Sequence, residues 1–99
     1  NAGGEAGEIW NEARRDVEKA MDLKPNLAEG YRLRAIISSR QKRYDEAIQD
    51  ITELARNNPQ EPLWLIQLAT LYQLDDRPGM AIKIADQLIR MRAAESRAY

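Results

Sequence analysis

The sequence predicts an all-α protein of about five helices, arranged as antiparallel helix pairs. The first observation is a repeat, because Ala13 and Ala47 lie 34 residues apart, as do Pro25 and Pro59. Helical sequences that repeat at this period build arrays of helix pairs. The second observation is that apolar residues recur at helical spacing within the repeat. The third is that the connections are short, which makes neighbouring helices antiparallel.

The first helix is predicted to run from about Ile9 to Leu23. Pro25 ends it, because the residue before a proline is pushed out of the helical region. Residues 1–8 are small and rich in glycine, so they are predicted to be a flexible leader that includes a possible tag remnant. The first predicted element therefore starts only at Ile9.

The second and third helices have start signals of different kinds. Asn26 is a good N-cap, and Glu29 lies three positions later, where it can reach back to the cap. That helix is predicted to end near Gln41. The third helix is predicted from Tyr44 to about Asn57, with two carboxylates in its first turn, at the positive end of the helix dipole.

The fourth and fifth helices both begin with a proline. Pro62 and Pro78 are acceptable there, because the first turn of a helix does not use the missing N–H group. The segment from Asp75 to Arg77 is predicted to turn the chain between them. The fifth helix is predicted to end near Met91.

Small and large apolar residues are expected to have different roles in helix packing. Four alanines are predicted at helix contacts, where they let the backbones approach closely: Ala35, Ala47, Ala69 and Ala81. Two stripes at helical spacing are predicted to form the core: Trp64, Leu65, Leu68 and Tyr72 on the fourth helix, and Ile82, Ala85, Leu88 and Ile89 on the fifth.

The amino-acid composition excludes several kinds of functional site. The 99 residues carry a net charge of −1 and contain neither cysteine nor histidine. Disulfides, thiolate metal sites and the commonest general base are therefore excluded. Charge this close to zero gives no field that recruits nucleic acid. The longest apolar stretch, Pro62 to Leu74, is shorter than the roughly 20 residues of a membrane helix, so this segment is not expected to insert into a membrane.

Three copies of one pattern carry a resemblance to a known family. The segment Tyr44 to Ile48, with the apolar residues and the proline that follow it, is preceded by a copy around Ala13 and followed by one around Ala81. From about Glu8 to the end, the chain resembles tetratricopeptide (TPR) repeats. The resemblance implies a right-handed α-α superhelix, that is, a TPR-like solenoid. It also implies a division into a partial repeat at 9–27, repeats at 28–61 and 62–95, and the start of another repeat at 96–99.

The second helix departs from the family pattern at two positions. Arg34 stands where the family usually has leucine, and Ser38 where it usually has a large aromatic residue. Leu33, Ile36 and Ile37 offer an alternative apolar stripe on this helix. The sequence therefore predicts that the second helix is rotated or unusually exposed.

The resemblance implies a protein-protein interaction module and scaffold whose concave face, formed by the first helix of each repeat, binds a peptide or helix. The residues at the family's contact positions are Glu29, Arg32, Ile36, Ser39, Arg40, Leu63, Ile66, Thr70, Gln73 and Leu74. A partner with an acidic part and an apolar part would suit them. Two alternatives stay open: the apolar members pack against neighbouring helices, or the array is a structural spacer or self-association segment of a larger protein.

Other candidate chemistry is weaker. Asp75 and Asp76 lack the further oxygen ligands and the glycine of a calcium loop, so they are interpreted as turn residues. Ser38 and Ser39 have no neighbouring base that would activate a hydroxyl nucleophile. The run from Arg40 to Arg43 is interpreted as a solvated helix end. We therefore expect no enzyme activity, no cofactor, no metal and no nucleic-acid partner.

The ends of the sequence suggest a segment of a larger protein. The first helix presents Trp10, Ala13, Val17 and Met21 with no earlier helix to cover them, so a homodimer through this truncated N-terminal face is predicted. The compartment stays open between cytoplasm and periplasm.

Overall fold

The computed structural model consists of α-helices. It describes the backbone of residues 2–25 and 27–98 and the side chains of residues 7–25 and 27–97. These residues form five helices and no strand: α1 (Ala2–Leu23), α2 (Ala28–Arg40), α3 (Tyr44–Asn57), α4 (Pro62–Leu74) and α5 (Pro78–Ala98). The prediction of an all-α protein with about five helices is confirmed.

The helix boundaries recur along the chain. The first residues of α2 and α4 are 28 and 62, their last residues are 40 and 74, and the first residues of α3 and α5 are 44 and 78. Each of these pairs is separated by the 34 residues of the sequence repeat. The period of the sequence is therefore also the period of the helix boundaries.

The turns after α2 and α4 have the same geometry. Lys42 and Asp76 occupy equivalent positions, and both have positive φ, 61° and 56°. In each turn the next residue, Arg43 or Arg77, donates its backbone N–H to the carbonyl five residues earlier, at 2.7 and 2.8 Å. Left-handed backbone is uncommon for residues other than glycine, asparagine and aspartate, so its recurrence identifies a turn that both helix pairs share.

Prolines and a side-chain cap set several helix ends. α1 and α3 both stop two residues before a proline, Pro25 and Pro59, as the steric restriction on the preceding residue requires. α4 begins with Pro62 directly after Glu61, and the Glu61 carboxylate accepts a hydrogen bond of 3.2 Å from the backbone N–H of Leu63. Asn26, the predicted N-cap of α2, lies outside the described residues.

Two helices are longer than predicted. α1 begins at Ala2 instead of Ile9, so residues 2–8, predicted to be a flexible leader, are helical; extending an existing helix costs less than nucleating one. α5 continues past Met91 to Ala98, because Ala93 takes the place of the proline that ends the earlier copies. Residues 96–98, predicted to start another repeat, continue α5, and residue 99 lies outside the described part.

The helices pack in sequence order. The main contacts join α1 to α2, α2 to α3, α3 to α4 and α4 to α5. The molecule measures 54 × 32 × 16 Å and has a radius of gyration of 15.6 Å, compared with about 13 Å for a compact domain of this length. The helices therefore form an elongated row in which each depends on its neighbours.

Small side chains lie at the helix contacts. Ala47 on α3 is 0% exposed, Ala35 on α2 and Ala81 on α5 are also buried, and Ala69 on α4 is half-buried against the same core. Alanine lets packed helices approach to the short end of the usual range of about 8–10 Å. The larger residues of the core cluster are Ile48, Ile51, Leu54, Leu65, Leu68, Leu71 and Ile84.

The predicted core stripe is right for α4 and, on α5, right only for Leu88. On α4, Leu65 and Leu68 are buried, and Trp64 and Tyr72 pack partly buried against the core. On α5, Ile82 and Ile89 are 68% and 67% exposed, and Ala85 is exposed as well. The buried side of α5 is formed instead by Ala81, Ile84, Leu88 and Met91, the last two half-buried. Apolar residues thus cover a wide arc around α5, and only the half of this arc that contains Ala81 and Ile84 packs against α4.

An ion pair places Arg34 in the interior of the row. Its Nε and Nη2 atoms donate to the two carboxylate oxygens of Asp50 on α3, at 2.9 and 2.8 Å, and the Asp50 side chain is only 7% exposed. This hydrogen bonding raises the pKa of Arg34, although partial burial opposes the shift. Leu33 and Ile36 are 37% and 40% exposed. The alternative stripe predicted for α2 is therefore wrong for these two residues.

α1 packs its apolar side on α2. Met21 is 8% exposed, and Trp10, Ala13 and Val17 are half-buried. A Cβ atom at Gly30 of α2 would lie 2.6 Å from Cγ of Met21, so glycine is what allows this close approach. The prediction that this face is uncovered is wrong for Met21, and a homodimer through the face stays a prediction.

Replacing Ala47 by leucine is expected to lower the free energy of unfolding by about 1–3 kcal/mol, because extra methylenes in a close-packed contact force their neighbours apart. Chemical denaturation followed by circular dichroism measures the change. Ala85→Leu, on the exposed side of α5, is the matched control and should leave the unfolding midpoint unchanged. Equal midpoints for the two variants would show that Ala47 is not at a tight helix contact.

Replacing Arg34 alone by leucine is expected to cost about 1.5–3 kcal/mol of stability, because Asp50 loses two charge-assisted hydrogen bonds and stays buried. The double variant Arg34→Leu/Asp50→Leu is expected to recover most of that loss, since a buried ion pair and a packed apolar pair are often of similar stability. Denaturation of both variants tests this. A double variant no more stable than the single one would contradict the assignment.

Candidate functional site

An open groove with an apolar floor lies between α2 and α4. Its volume is about 470 Å³, within the range of about 300–1,000 Å³ that is typical of ligand pockets. Ile51 of α3 lies at its base, and Ile36 and Leu74 line it with 40% and 54% of their surfaces exposed. The groove exists because α2 and α4 both pack on α3, which leaves a furrow between them.

Two cations lie at one end of this groove. Arg40, in the last turn of α2, and Lys42, in the turn that follows, both line it. Within the described part of the chain, neither has a carboxylate within ion-pair distance, whereas three nearby arginines do. These arginines and their partners are Arg32 with Glu29, Arg34 with Asp50, and Arg43 with Glu46. The charges of Arg40 and Lys42 thus remain available to a ligand.

Half of the predicted contact residues come together in the groove. Those that line it are Ile36, Ser39, Arg40, Thr70 and Leu74. The hydroxyl of Thr70 donates to the carbonyl of Ile66 within α4, at 3.1 Å, so its oxygen remains as an acceptor. Polar groups beside an apolar floor can orient a bound segment.

The other predicted residues lie elsewhere. Leu63 and Gln73 are exposed on α4 but do not line the groove. Ile66 lines a second groove, between α4 and α5, of about 620 Å³, whose apolar part includes Leu88 and Met91. Of the ten predicted contact residues, five therefore line the α2–α4 groove, one lines the second groove, and four line neither.

Glu29 and Arg32 form an exposed ion pair with each other. Arg32 donates to both carboxylate oxygens of Glu29, and neither residue lines the groove of Arg40. The hydrogen bond from Arg32 lowers the pKa of Glu29 and raises that of Arg32. Arg32 therefore has a partner within its own helix, which makes it a poorer candidate for binding an acidic ligand than Arg40.

Sequence reasoning missed six of the eleven residues that line the groove, among them Lys42 and Tyr44. Lys42 was interpreted as part of a solvated helix end, and Tyr44, the first residue of α3, was not considered as a contact; both line the groove. The positive φ of Lys42 is a property of the turn that no residue type in this segment indicates. The only usable signal was that Lys42 follows Arg40 by two positions.

The interpretation of Asp75 and Asp76 as turn residues agrees with their place between α4 and α5. Asp75 is the C-cap of α4 and lies 3.1 Å from Nε of Arg77. No group of three or more metal-ligating side chains occurs among the described residues. None of the five helices described above is long and apolar enough to cross a membrane.

Comparison with known sequences identifies no relative. The chain matches no protein-family model, and a search of curated proteins found no match. The site must therefore be interpreted from its own geometry.

The carboxyl group of Glu29 is expected to titrate below its ordinary pKa of 4.5. Because folding lowers this pKa, the small stability contribution of the pair is present at neutral pH and is lost as the pH falls through the folded-state value. A carboxyl-carbon NMR titration measures it. Arg32→Gln should raise the pKa of Glu29, and Arg56→Gln, on α3, should not. A Glu29 titration that is insensitive to Arg32→Gln would contradict the pairing.

Proposed function

We propose that the chain is a TPR-like interaction module that binds an extended segment of a partner protein in the groove between α2 and α4. The single observation that carries the proposal is the pair of uncompensated cations, Arg40 and Lys42, at the end of an apolar groove. The C-terminal end of α2 favours cations in any case, and a ligand carboxylate would supply the counter-charge that these two do not find among the described residues. A partner segment with a carboxylate beside an aliphatic side chain fits both features.

The apolar floor would supply most of the affinity. Burying one leucine-sized side chain is favourable by about 1.5–3 kcal/mol, whereas an exposed ion pair contributes about 0.2–1 kcal/mol. Ile36 and Leu74 therefore form the main contact area, and Arg40 and Lys42 orient the segment and speed its encounter with the groove. The ligand class is a peptide in which an acidic residue lies next to aliphatic ones.

Several observations support a TPR-like solenoid as the architecture. Helix boundaries recur at 34 residues, the two turns share their geometry, and the main contacts join consecutive helices. In this proposal α2 with α3 and α4 with α5 are the repeats 28–61 and 62–95, and α1 contributes the second helix of a partial repeat at 9–27. Nearest-neighbour stacking is the usual source of stability in such arrays.

The second candidate function is that of a structural spacer or self-association segment. It is favoured by the last helix of the row, where Ile82 and Ile89, two turns apart on one side of α5, are 68% and 67% exposed. Apolar residues exposed together often mark a contact surface. This surface lies apart from the cationic end of the α2–α4 groove, so variants of the groove distinguish the two functions.

Selection of peptides from a random display library against the chain tests the proposal. Bound peptides should be enriched in aspartate or glutamate next to leucine, isoleucine or valine. Calorimetry with the best peptide, made synthetically, should give an affinity about tenfold weaker for Arg40→Glu/Lys42→Glu, because two attractive contacts become repulsive.

Two matched controls accompany this measurement. Lys19→Glu/Lys83→Glu makes the same change in net charge at exposed positions outside the groove and should bind normally. Ile36→Ala should weaken binding, while Leu63→Ala, at a residue of similar exposure outside the groove, should not. Absence of saturable binding, or equal loss in groove and control variants, would exclude the groove and favour the spacer.

A further inference from the structure

A chain of side-chain hydrogen bonds connects α1 to the end of α2. Nη2 of Arg14 donates to Oγ of Ser38 at 2.8 Å and to Oε1 of Gln41 at 2.9 Å. Nε2 of Gln41 in turn donates to Oδ1 of Asn11 at 2.8 Å. Gln41 is therefore held by two α1 residues, which lie one helical turn apart.

Gln41 lies between the two cations of the groove. It is the C-cap of α2, directly after Arg40 and directly before Lys42. The backbone of this segment is closed by hydrogen bonds of 3.0 Å from the N–H groups of Gln41 and Lys42 to carbonyls of the last turn of α2. Whatever fixes the side chain of Gln41 therefore also restrains the turn from which Arg40 and Lys42 extend.

The equivalent turn after α4 shows that this connection is not needed to form the turn itself. Asp75 takes the place of Gln41 there, and its carboxylate is paired locally with Arg77 at 3.1 Å. Arg77 also donates to Asp45 on α3 at 2.7 Å, so this turn contacts its preceding helix through a different residue. The φ angle of Asp76 nevertheless matches that of Lys42 within a few degrees, 56° against 61°. A link to the preceding helix through the C-cap side chain itself is thus specific to the turn that carries the groove cations.

We propose that Gln41 is a positioning residue through which α1 fixes the cationic end of the α2–α4 groove. The inference rests on the proposed function of that groove. Docking of α1 on α2 restrains Gln41, the restrained turn presents Arg40 and Lys42 beside the apolar floor, and binding of an acidic segment is stronger as a result. By reciprocity, an acidic peptide in the groove stabilises the docked position of α1.

The Ser38 contact has a separate, structural explanation. Ser38 is 0% exposed, and a buried hydroxyl needs a hydrogen-bond partner, which Arg14 supplies. Arg14→Met therefore disturbs the core as well as the turn. Gln41→Met separates the two effects, because it removes both contacts of Gln41 with α1, keeps the side-chain length and leaves the bond between Arg14 and Ser38.

Amide hydrogen exchange on the free protein is the first measurement. In Gln41→Met the amides of Lys42 and Arg43 should exchange faster than in the unchanged protein. The amides of Asp76 and Arg77 in the equivalent turn should be unaffected and serve as the internal control. Gln87→Met, at an exposed position on α5, should change neither pair. Unchanged exchange at Lys42 and Arg43 would overturn the inference.

Affinity for the peptide selected on the unchanged protein is the second measurement. Gln41→Met should weaken binding by about five- to tenfold, at the low end of known couplings between sites. In an Arg40→Ala/Lys42→Ala background the same change should have no further effect, because its influence passes through these cations. A general loss of stability would instead weaken binding equally in both backgrounds, and that result would overturn the inference.

The outcomes separate this inference from the proposed function. If the peptide depends on Arg40 and Lys42 but binds Gln41→Met normally, the inference fails and the function stands. If the peptide is insensitive to Arg40→Glu/Lys42→Glu, the proposed function fails and the role of Gln41 in binding fails with it. The exchange measurement then still shows whether α1 restrains the turn.

Discussion

The close contact between α2 and α3 is the constraint on which the rest of the row depends. Ala35 and Ala47 are both nearly inaccessible to solvent, so the two backbones approach as closely as helices do. Helices of 13 and 14 residues are only marginally stable in isolation. Packing of α2 on α3 therefore provides most of the free energy that keeps them helical. Because α3 also packs on α4, α2 and α4 are held on either side of Ile51, and the groove is the space between them.

Polar contacts across the interior give α2 its orientation. Arg34 reaches Asp50 on α3, and Ser38 receives its hydrogen bond from Arg14 on α1. A rotated α2 would break both of these contacts. Its orientation is therefore favoured, because burying a polar group without a hydrogen-bond partner costs free energy. Arg34 and Ser38 thus connect three consecutive helices and direct Ile36 and Ser39 of α2 toward the groove.

The two ends of the row differ in character. α1 packs most of its apolar side on α2 and exposes four carboxylates, but Ile9 and Leu23 are also 63% and 84% exposed. The carboxylates are those of Glu8, Glu12, Asp16 and Asp22. α5 covers only half of its apolar arc and exposes Ile82 and Ile89. In the proposed self-association role, the exposed apolar side of α5 is a better candidate contact than the α1 face, where Met21 and its neighbours already pack on α2.

The sequence by itself determined the helical class, the period and most helix boundaries, because prolines and spacing act locally. Ala93 stands where the earlier copies have a proline, which explains why α5 continues to Ala98. Tertiary structure alone decided which half of the α5 arc is buried, since both halves are apolar. It also decided that Arg34 pairs with Asp50 on α3, that Arg40 and Lys42 have no carboxylate partner among the described residues, and that Gln41 belongs to α1 as much as to α2. Those partners lie up to 30 residues away in the chain, and helical spacing cannot select among distant partners of the same charge or polarity.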